Sequence, residues 1–360
     1  MAFNGQNNGG EGEAFMKHDS LWFWDGNIIL AAASSSDKRL SMRFRVHKSV
    51  LSRESQVFSD MFALPIQYVK PISNDDIMEG LPFIRMHDSA EDVEALLKYL
   101  YGLIRDVALT RPRHPDFAKK SRGILWIADK YGMDGVKAHF IARLRADWPK
   151  TLAEWDRMDA IKETVVKFGR VCVDTWPEEL LPEPVSAAIL AMEFGVEDIL
   201  PSIFYEMLRC YSRVDWDTLG ETKTVFNPDE RGARWQLATA EILHLRNIIR
   251  EEGDAKMKAL LSNLRPNTTA HSRHKPLSCC FSLKSPPAIE TLLRPTSTVD
   301  DILQSSRDWL RFLRQGVPQS RFKDLAMCNW CRSYLDEQIL SGRNDFWRFL
   351  QETTASASCG

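Results

Sequence analysis

Cys328 and Cys331 form a C-x-x-C, the spacing at which two thiolates can share a metal ion or cycle as a redox pair. A zinc site needs two further ligands. The candidates upstream are the adjacent Cys279 and Cys280, with His271 and His274 before them. Neighbouring thiolates converge poorly on one ion, because tight ligand pairs ordinarily leave two or more residues between them. Cys328, Cys331 and Leu335 also fall at i, i+3 and i+7, so the thiols read first as part of a helix's buried stripe. A structural metal site and a redox pair stay open as alternatives, and no cofactor is expected. His47 closes an apolar segment and meets a helix start, where its ring can bond nearby backbone. No nucleophile or acid is spaced to work with it. The chain has no P-loop, G-x-G-x-x-G, G-x-S-x-G or H-E-x-x-H, so catalysis is not expected.

Two charged clusters could dock a partner. Arg105, Arg111, Arg113, His114, Lys119, Lys120 and Arg122 read as a solvated loop, or as a patch for an acidic protein. Asp75, Asp76 and Glu79 read as solvated. Of eleven tryptophans, seven (Trp148, Trp155, Trp176, Trp216, Trp235, Trp309 and Trp330) fall between residues 148 and 330. Helix-bundle core is the first reading there, and an exposed peptide groove the second.

The elements that must position these residues follow from periodicity. Residues 1–19 are polar and Gly/Asn/Glu-rich and read as a disordered tail, not a signal peptide. Order is expected to begin at Leu21-Trp22-Phe23, with Asp25 as a turn or cap residue. The apolar run from Ile28 to Ala33 reads as a buried strand, and Met42 to Val46 as its hairpin partner. Val50, Leu51, Val57, Phe58, Met61 and Phe62 recur at helical offsets, broken near Ser55, with Phe58, Met61 and Phe62 expected in the core. A third strand follows from Pro82 to Met86. Ser89 can cap a helix whose first turn carries Glu91 and Asp92, favourable at the positive helix end. Helices around Ile124–Tyr131 and Val136–Leu144 complete this part, with Gly132 and Gly135 marking the turn between them. Beyond Pro149 strand signals fade. Helical spacing recurs at Ile161–Phe168, at Val185–Met192 with Gly195 as its stop, from Pro201, and at Ala238–Ile249. Residues 263–300 read as a loop or linker, 301–352 as helical and 353–360 as a tail.

A chain of 360 residues suits two or three domains, and 44% hydrophobic residues suffice for a substantial core. A formal charge of -2 argues against a nucleic-acid binder working by bulk electrostatics. No run approaches the roughly 18 apolar residues of a membrane helix. Seven scattered cysteines suit a reducing compartment, so the expected location is intracellular, in cytoplasm or nucleus.

Four ordered segments carry a resemblance. Phe44-Arg-Val-His-Lys-Ser-Val-Leu-Ser-Arg-Glu-Ser-Gln-Val-Phe-Ser-Asp-Met-Phe62 resembles the BTB/POZ signature. Asp25-Gly-Asn-Ile-Ile-Leu30 is similar to the acidic residue and strand that open that fold. The segment from Ile84 to Tyr101 resembles its third strand and following helix, and Leu125-Trp-Ile-Ala-Asp-Lys-Tyr131 its closing "L-x-x-A-x-K-Y" helix. In particular the chain resembles BTB proteins common in mushroom-forming (basidiomycete) fungi, which share the D-G-N-I-x-L opening and a helical C-terminal half with a C-x-x-C and a Trp-bearing helix. The resemblance implies an α+β BTB domain at residues 20–148, a small sheet flanked by helices, before a mainly helical region beginning at 149–262. Its signature positions are Asp25, His47, Leu51, Phe58, Met61, Phe62, Tyr101 and Tyr131.

The implied function is that of a protein–protein adaptor that can self-associate, and some members recruit cullin-type ubiquitin ligases. Residues 1–20 hold no amphipathic helix of the kind BTB dimers commonly exchange, so dimerisation and cullin recruitment both stay open. For Asp25 the resemblance offers a second role, the buried charge of a dimer pocket. The alternative function is a transcriptional or chromatin regulator whose C-terminal half binds nucleic acid, which the near-neutral charge disfavours.

Overall fold

The computed structural model describes residues 14–64, 77–161, 182–218, 232–263, 308–315 and 329–357. The chain divides into an N-terminal unit, Met1–Leu144, and a C-terminal unit, Arg145–Gly360.

Strands β1 (Ala14–Trp22), β2 (Ile28–Ala33), β3 (Leu40–Val46), β4 (Ile77–Met78) and β5 (Leu81–Arg85) form one sheet in the order β1-β3-β2-β5-β4. β2 and β3 are the expected antiparallel hairpin, with Leu30 opposite Phe44. β2 then pairs in parallel with β5, Leu30 opposite Ile84, which requires the crossover that the helices between them supply. Five of the six β2 residues are buried, as a continuous apolar run at the middle of a sheet should be. β4 and β5 turn through Glu79 and Gly80, both at positive φ (52° and 75°), the geometry that matches a tight hairpin to strand twist.

β1 departs from expectation. It starts at Ala14, inside the stretch read as a tail, and pairs in parallel with β3, Phe15 opposite Ser41. Most of its residues are exposed, so it carries no alternating apolar signal; backbone pairing alone makes it a strand.

Helices α1 (Lys48–Glu54), α2 (Gln56–Ala63), α3 (Ala90–Leu100), α4 (Val107–Thr110), α5 (Phe117–Lys130) and α6 (Asp134–Asp147) accompany the sheet. α3 begins as expected: the Ser89 hydroxyl accepts the Asp92 amide at 3.1 Å, and Val93, Leu96 and Leu97 are buried. Gly132, at φ 61°, ends α5. Gly135 is not part of that turn, since it lies in the first turn of α6. The short α4 falls where no separate helix was expected.

The described part of the C-terminal unit is helical, apart from one isolated bridge between Asp215 and Ala233. Its helices are α7 (residues 152–161), α8 (Pro184–Glu193), α9 (Leu200–Arg209), α10 (Ala240–Asn263), α11 (Trp309–Gln315) and α12 (Asn329–Ala357). α12 runs through residues expected as a terminal tail. Pro201 stands at the start of α9, where the missing amide costs nothing. Of the seven, Trp148, Trp155 and Trp309 are buried, as the core reading expects, while Trp216 and Trp235 are half-buried. Trp176 lies outside the described residues, as does the side chain of Trp330.

A buried ionic network joins three of these helices, α7, α9 and α11. The Arg209 guanidinium meets Asp308 at 2.8 Å, Glu206 at 3.2 Å and Asp159 at 3.3 Å, and Arg314 meets Asp159 at 2.8 Å. Tyr205 donates to Asp308 and accepts the Leu310 amide, each at 2.8 Å. Burial would lower the Arg209 pKa, but Asp308, Glu206 and Asp159 outweigh it and hold the guanidinium charged. Glu183, fully buried, accepts the amides of Val185 and Ser186 at the start of α8 and that of Arg234.

Candidate protein-interaction surface

His47 occupies the N-cap position of α1, but its ring makes no capping bond. Its Nδ1 lies 2.9 Å from the Tyr101 hydroxyl, which also accepts the His47 amide at 2.9 Å. Its Nε2 lies 3.3 Å from Asp25. The ring partners are therefore side chains from the β1–β2 turn and the end of α3, not the nearby backbone that sequence position suggested. Asp25 remains half exposed and pairs with His47. Phe23 stacks on Tyr101 with centroids 4.5 Å apart. Burial raises the Tyr101 pKa and the Asp25 charge adds to it, against the donated His47 amide, so the hydroxyl stays protonated. The cap itself comes from Asn27, whose Oδ1 accepts the Lys48 amide at 2.8 Å. Sequence reasoning places Asn27 in the turn Asp25-Gly26-Asn27 but missed that it caps a helix more than twenty residues further on.

A second cluster ties α2 to the end of α5. The Ser55 hydroxyl accepts the Phe58 amide at 3.1 Å and donates to the Tyr131 carbonyl. Phe58 and Tyr131 stack at 4.8 Å. The Tyr131 hydroxyl donates to Asp88 at 2.8 Å, and Lys130 pairs with the same carboxylate. Burial and the Asp88 acceptor both raise the Tyr131 pKa. Leu51 and Phe58 are core residues, 1% and 3% exposed.

Met61 and Phe62 are not core as expected. Met61 is exposed, and Phe62 is half-buried, stacked on Phe58 at 5.8 Å with Lys48 over its ring. The reason is geometric: α2 carries apolar residues at 57, 58, 61 and 62, more than one packed face of a two-turn helix covers. Val57, Met61 and Leu64, at i, i+4 and i+7, form an apolar stripe on its outer side, 46%, 36% and 57% exposed. Trp24, at the tip of the β1–β2 turn, is 86% exposed.

The basic cluster borders α4 and α5. Lys120 pairs with Asp106 at 3.6 Å, Arg143 stacks on Phe117, and Arg105, Lys119 and Arg122 are exposed. Cys279, Cys280, Cys328, His271 and His274 lie outside the described residues, as does the Cys331 side chain. Among the described residues no group of three or more His, Cys, Asp or Glu could hold a metal ion. None of the described helices is long and apolar enough to cross a membrane.

The family model of the BTB/POZ domain matches residues 34–146, which contain His47 and Tyr101 of the first cluster, the whole of the second and the α2 stripe. No curated protein and no solved structure matches the chain.

Proposed function

From the BTB/POZ domain that this chain carries at residues 34–146, we propose that it is an adaptor that joins proteins by association and catalyses no reaction. A BTB/POZ domain is a protein-interaction module, and the exposed stripe Val57–Met61–Leu64 carries the finer reading. A short helix with one apolar face in the core and a second facing outward supplies the desolvated centre of an interface, and the nearby polar groups of Lys48, Gln56 and Asp60 supply a polar rim. The stripe serves self-association or, in the more specific form of the proposal, docking of a cullin-type ubiquitin-ligase scaffold.

The test is the solution mass of the full chain by light scattering over a concentration series, for the natural protein and Met61→Glu/Leu64→Glu. Both positions are exposed, so the variant is expected to keep its melting temperature within a few degrees. A dimer converted to a monomer assigns the stripe to self-association. Where both proteins are monomeric, calorimetric titration with a purified cullin N-terminal domain is expected to show binding that the variant loses at least tenfold. Failure of both overturns the role of the stripe.

A further inference from the structure

Two histidines of the N-terminal unit face a carboxylate through Nε2 and differ in what meets Nδ1. His47 has the Tyr101 hydroxyl at 2.9 Å, a group that can donate to a bare nitrogen or accept from a protonated one. His18, on β1, has two backbone amides instead, those of Ser20 at 3.2 Å and Leu21 at 3.1 Å. An amide N–H only donates, so the His18 Nδ1 that accepts from both carries no proton. The proton of the neutral ring sits on Nε2, which lies 3.2 Å from Glu94 of α3.

The register of β1 creates the need for this acceptor. Lys17 stands opposite Arg43 and Trp22 opposite Arg45, so His18, Asp19, Ser20 and Leu21 span a single residue of β3, Phe44. Residues 18–21 therefore leave the ladder, and their amides must find partners elsewhere. The His18 ring serves two of them. It packs on Phe44 with centroids 5.4 Å apart and its side chain is 11% exposed, while Leu21 is fully buried. Among the described residues, the charged groups that reach the ring come from α3: Glu94, and Lys98 through its own pair with that carboxylate. Beside it in the chain, Lys17 is paired with Glu79 at 2.7 Å and Asp19 is exposed.

We propose that His18 is a proton-operated latch, which ties the His18–Leu21 loop to α3 while its ring is neutral and opens when Nδ1 is protonated. A proton there sets one N–H against two others. Both bonds to Nδ1 are lost, and the amide of buried Leu21 is left without its acceptor. Attraction between the imidazolium and Glu94 opposes opening. That carboxylate already holds Lys98 and is 30% exposed, where an added ion pair gains little. The closed loop excludes a proton from Nδ1 and the open loop admits one, so acid favours opening. His47 is under no such constraint, because the Tyr101 hydroxyl can reverse its role. The latch uses no residue of the α2 stripe and is independent of the function proposed for it.

The test is hydrogen exchange of the full chain, followed by NMR at about pH 8 and about pH 5, the span over which histidine changes charge. Each amide's protection is corrected for the intrinsic effect of pH. Protection of the Ser20 and Leu21 amides is expected to fall at least tenfold in acid relative to amides of the β2–β3 hairpin. At the higher pH the nitrogen chemical shift of His18 Nδ1 is expected to be that of a bare ring nitrogen. His18→Asn, whose Oδ1 can accept the same amides and takes no proton, is expected to keep their protection under both conditions. Glu94→Gln is expected to leave the acid response in place. A protonated Nδ1 at the higher pH, unchanged protection of both amides, or a fall shared by the hairpin would overturn the proposal. So would an acid response that survives in His18→Asn or disappears in Glu94→Gln. The nitrogen shift and the exchange of the natural protein keep the test valid where a variant misfolds.

Discussion

At the scale of single residues, the signature positions act through partners distant in the chain. His47 and Tyr101 are 54 residues apart, and Ser55 and Tyr131 are 76 apart. The residue types were visible in the sequence, but a histidine ring between two candidate partners is assigned only when the strand turn and the helix end meet. Glu91 shows the same dependence and gives a pH prediction. It was legible as a favourable charge at a helix start. The structure adds that it accepts the Ser34 hydroxyl at 2.6 Å and the Ser35 amide at 3.0 Å, fastening the β2–β3 loop. Burial raises its pKa, but those bonds outweigh it and bring the group from 4.5 to about 2. A folded pKa below the ordinary value means that the contribution is full above about 4.5 and is lost as pH falls towards 2. Glu91→Gln is expected to lower stability at pH 7 by about 1 kcal/mol, a value discounted for solvent screening at an exposed site. In urea unfolding the gap between the two proteins should narrow between pH 5 and roughly 2.5; a constant gap would mean the carboxylate charge contributes nothing.

Between elements, close approach is decided by residues whose sequence context says little. Gly253 lies inside α10, where helix propensity alone predicts that alanine would stabilise by about 1 kcal/mol. A Cβ there would lie 2.5 and 2.9 Å from the Trp309 ring and 3.2 Å from Phe346. Both rings are buried, and they pack edge to face at 5.2 Å, so neither yields easily. Overlap of this kind costs about 1–3 kcal/mol. Gly253→Ala is therefore expected to lower the melting temperature despite its better propensity, and a raised melting temperature would show that α11 can move aside. Elements with an amphipathic or capped pattern, such as α3 and β2, were legible in the sequence. β1 was not, because most of its residues are exposed and its strand state comes from β3.

Across the whole molecule, the two units are held by different means. The N-terminal unit rests on a sheet and helices with an apolar core, and the C-terminal unit adds buried charge. Removing one partner of a buried ionic network costs about 3–5 kcal/mol, since the others remain desolvated and unbalanced. Arg209→Met is expected to destabilise the C-terminal unit by that amount, followed through the fluorescence of Trp155, whose ring lies 5.6 Å from Arg209. A loss below about 1 kcal/mol would mean that water reaches Asp159 and Asp308.

The sequence by itself determined the α+β class of the first 148 residues and most of its elements, though neither β1 nor α4, together with the cap at Ser89 and the helical character beyond Pro149. These are local properties, written in periodicity and in the side chains that satisfy helix ends. Only the tertiary structure decided that Met61 faces outward while Phe58 is core, that β1 lies beside β3, and that Arg43 and Arg85 gather over Phe15 and Phe83. Each depends on which faces the neighbouring elements leave uncovered. Contacts between residues far apart in the chain set those faces, and no local pattern records them.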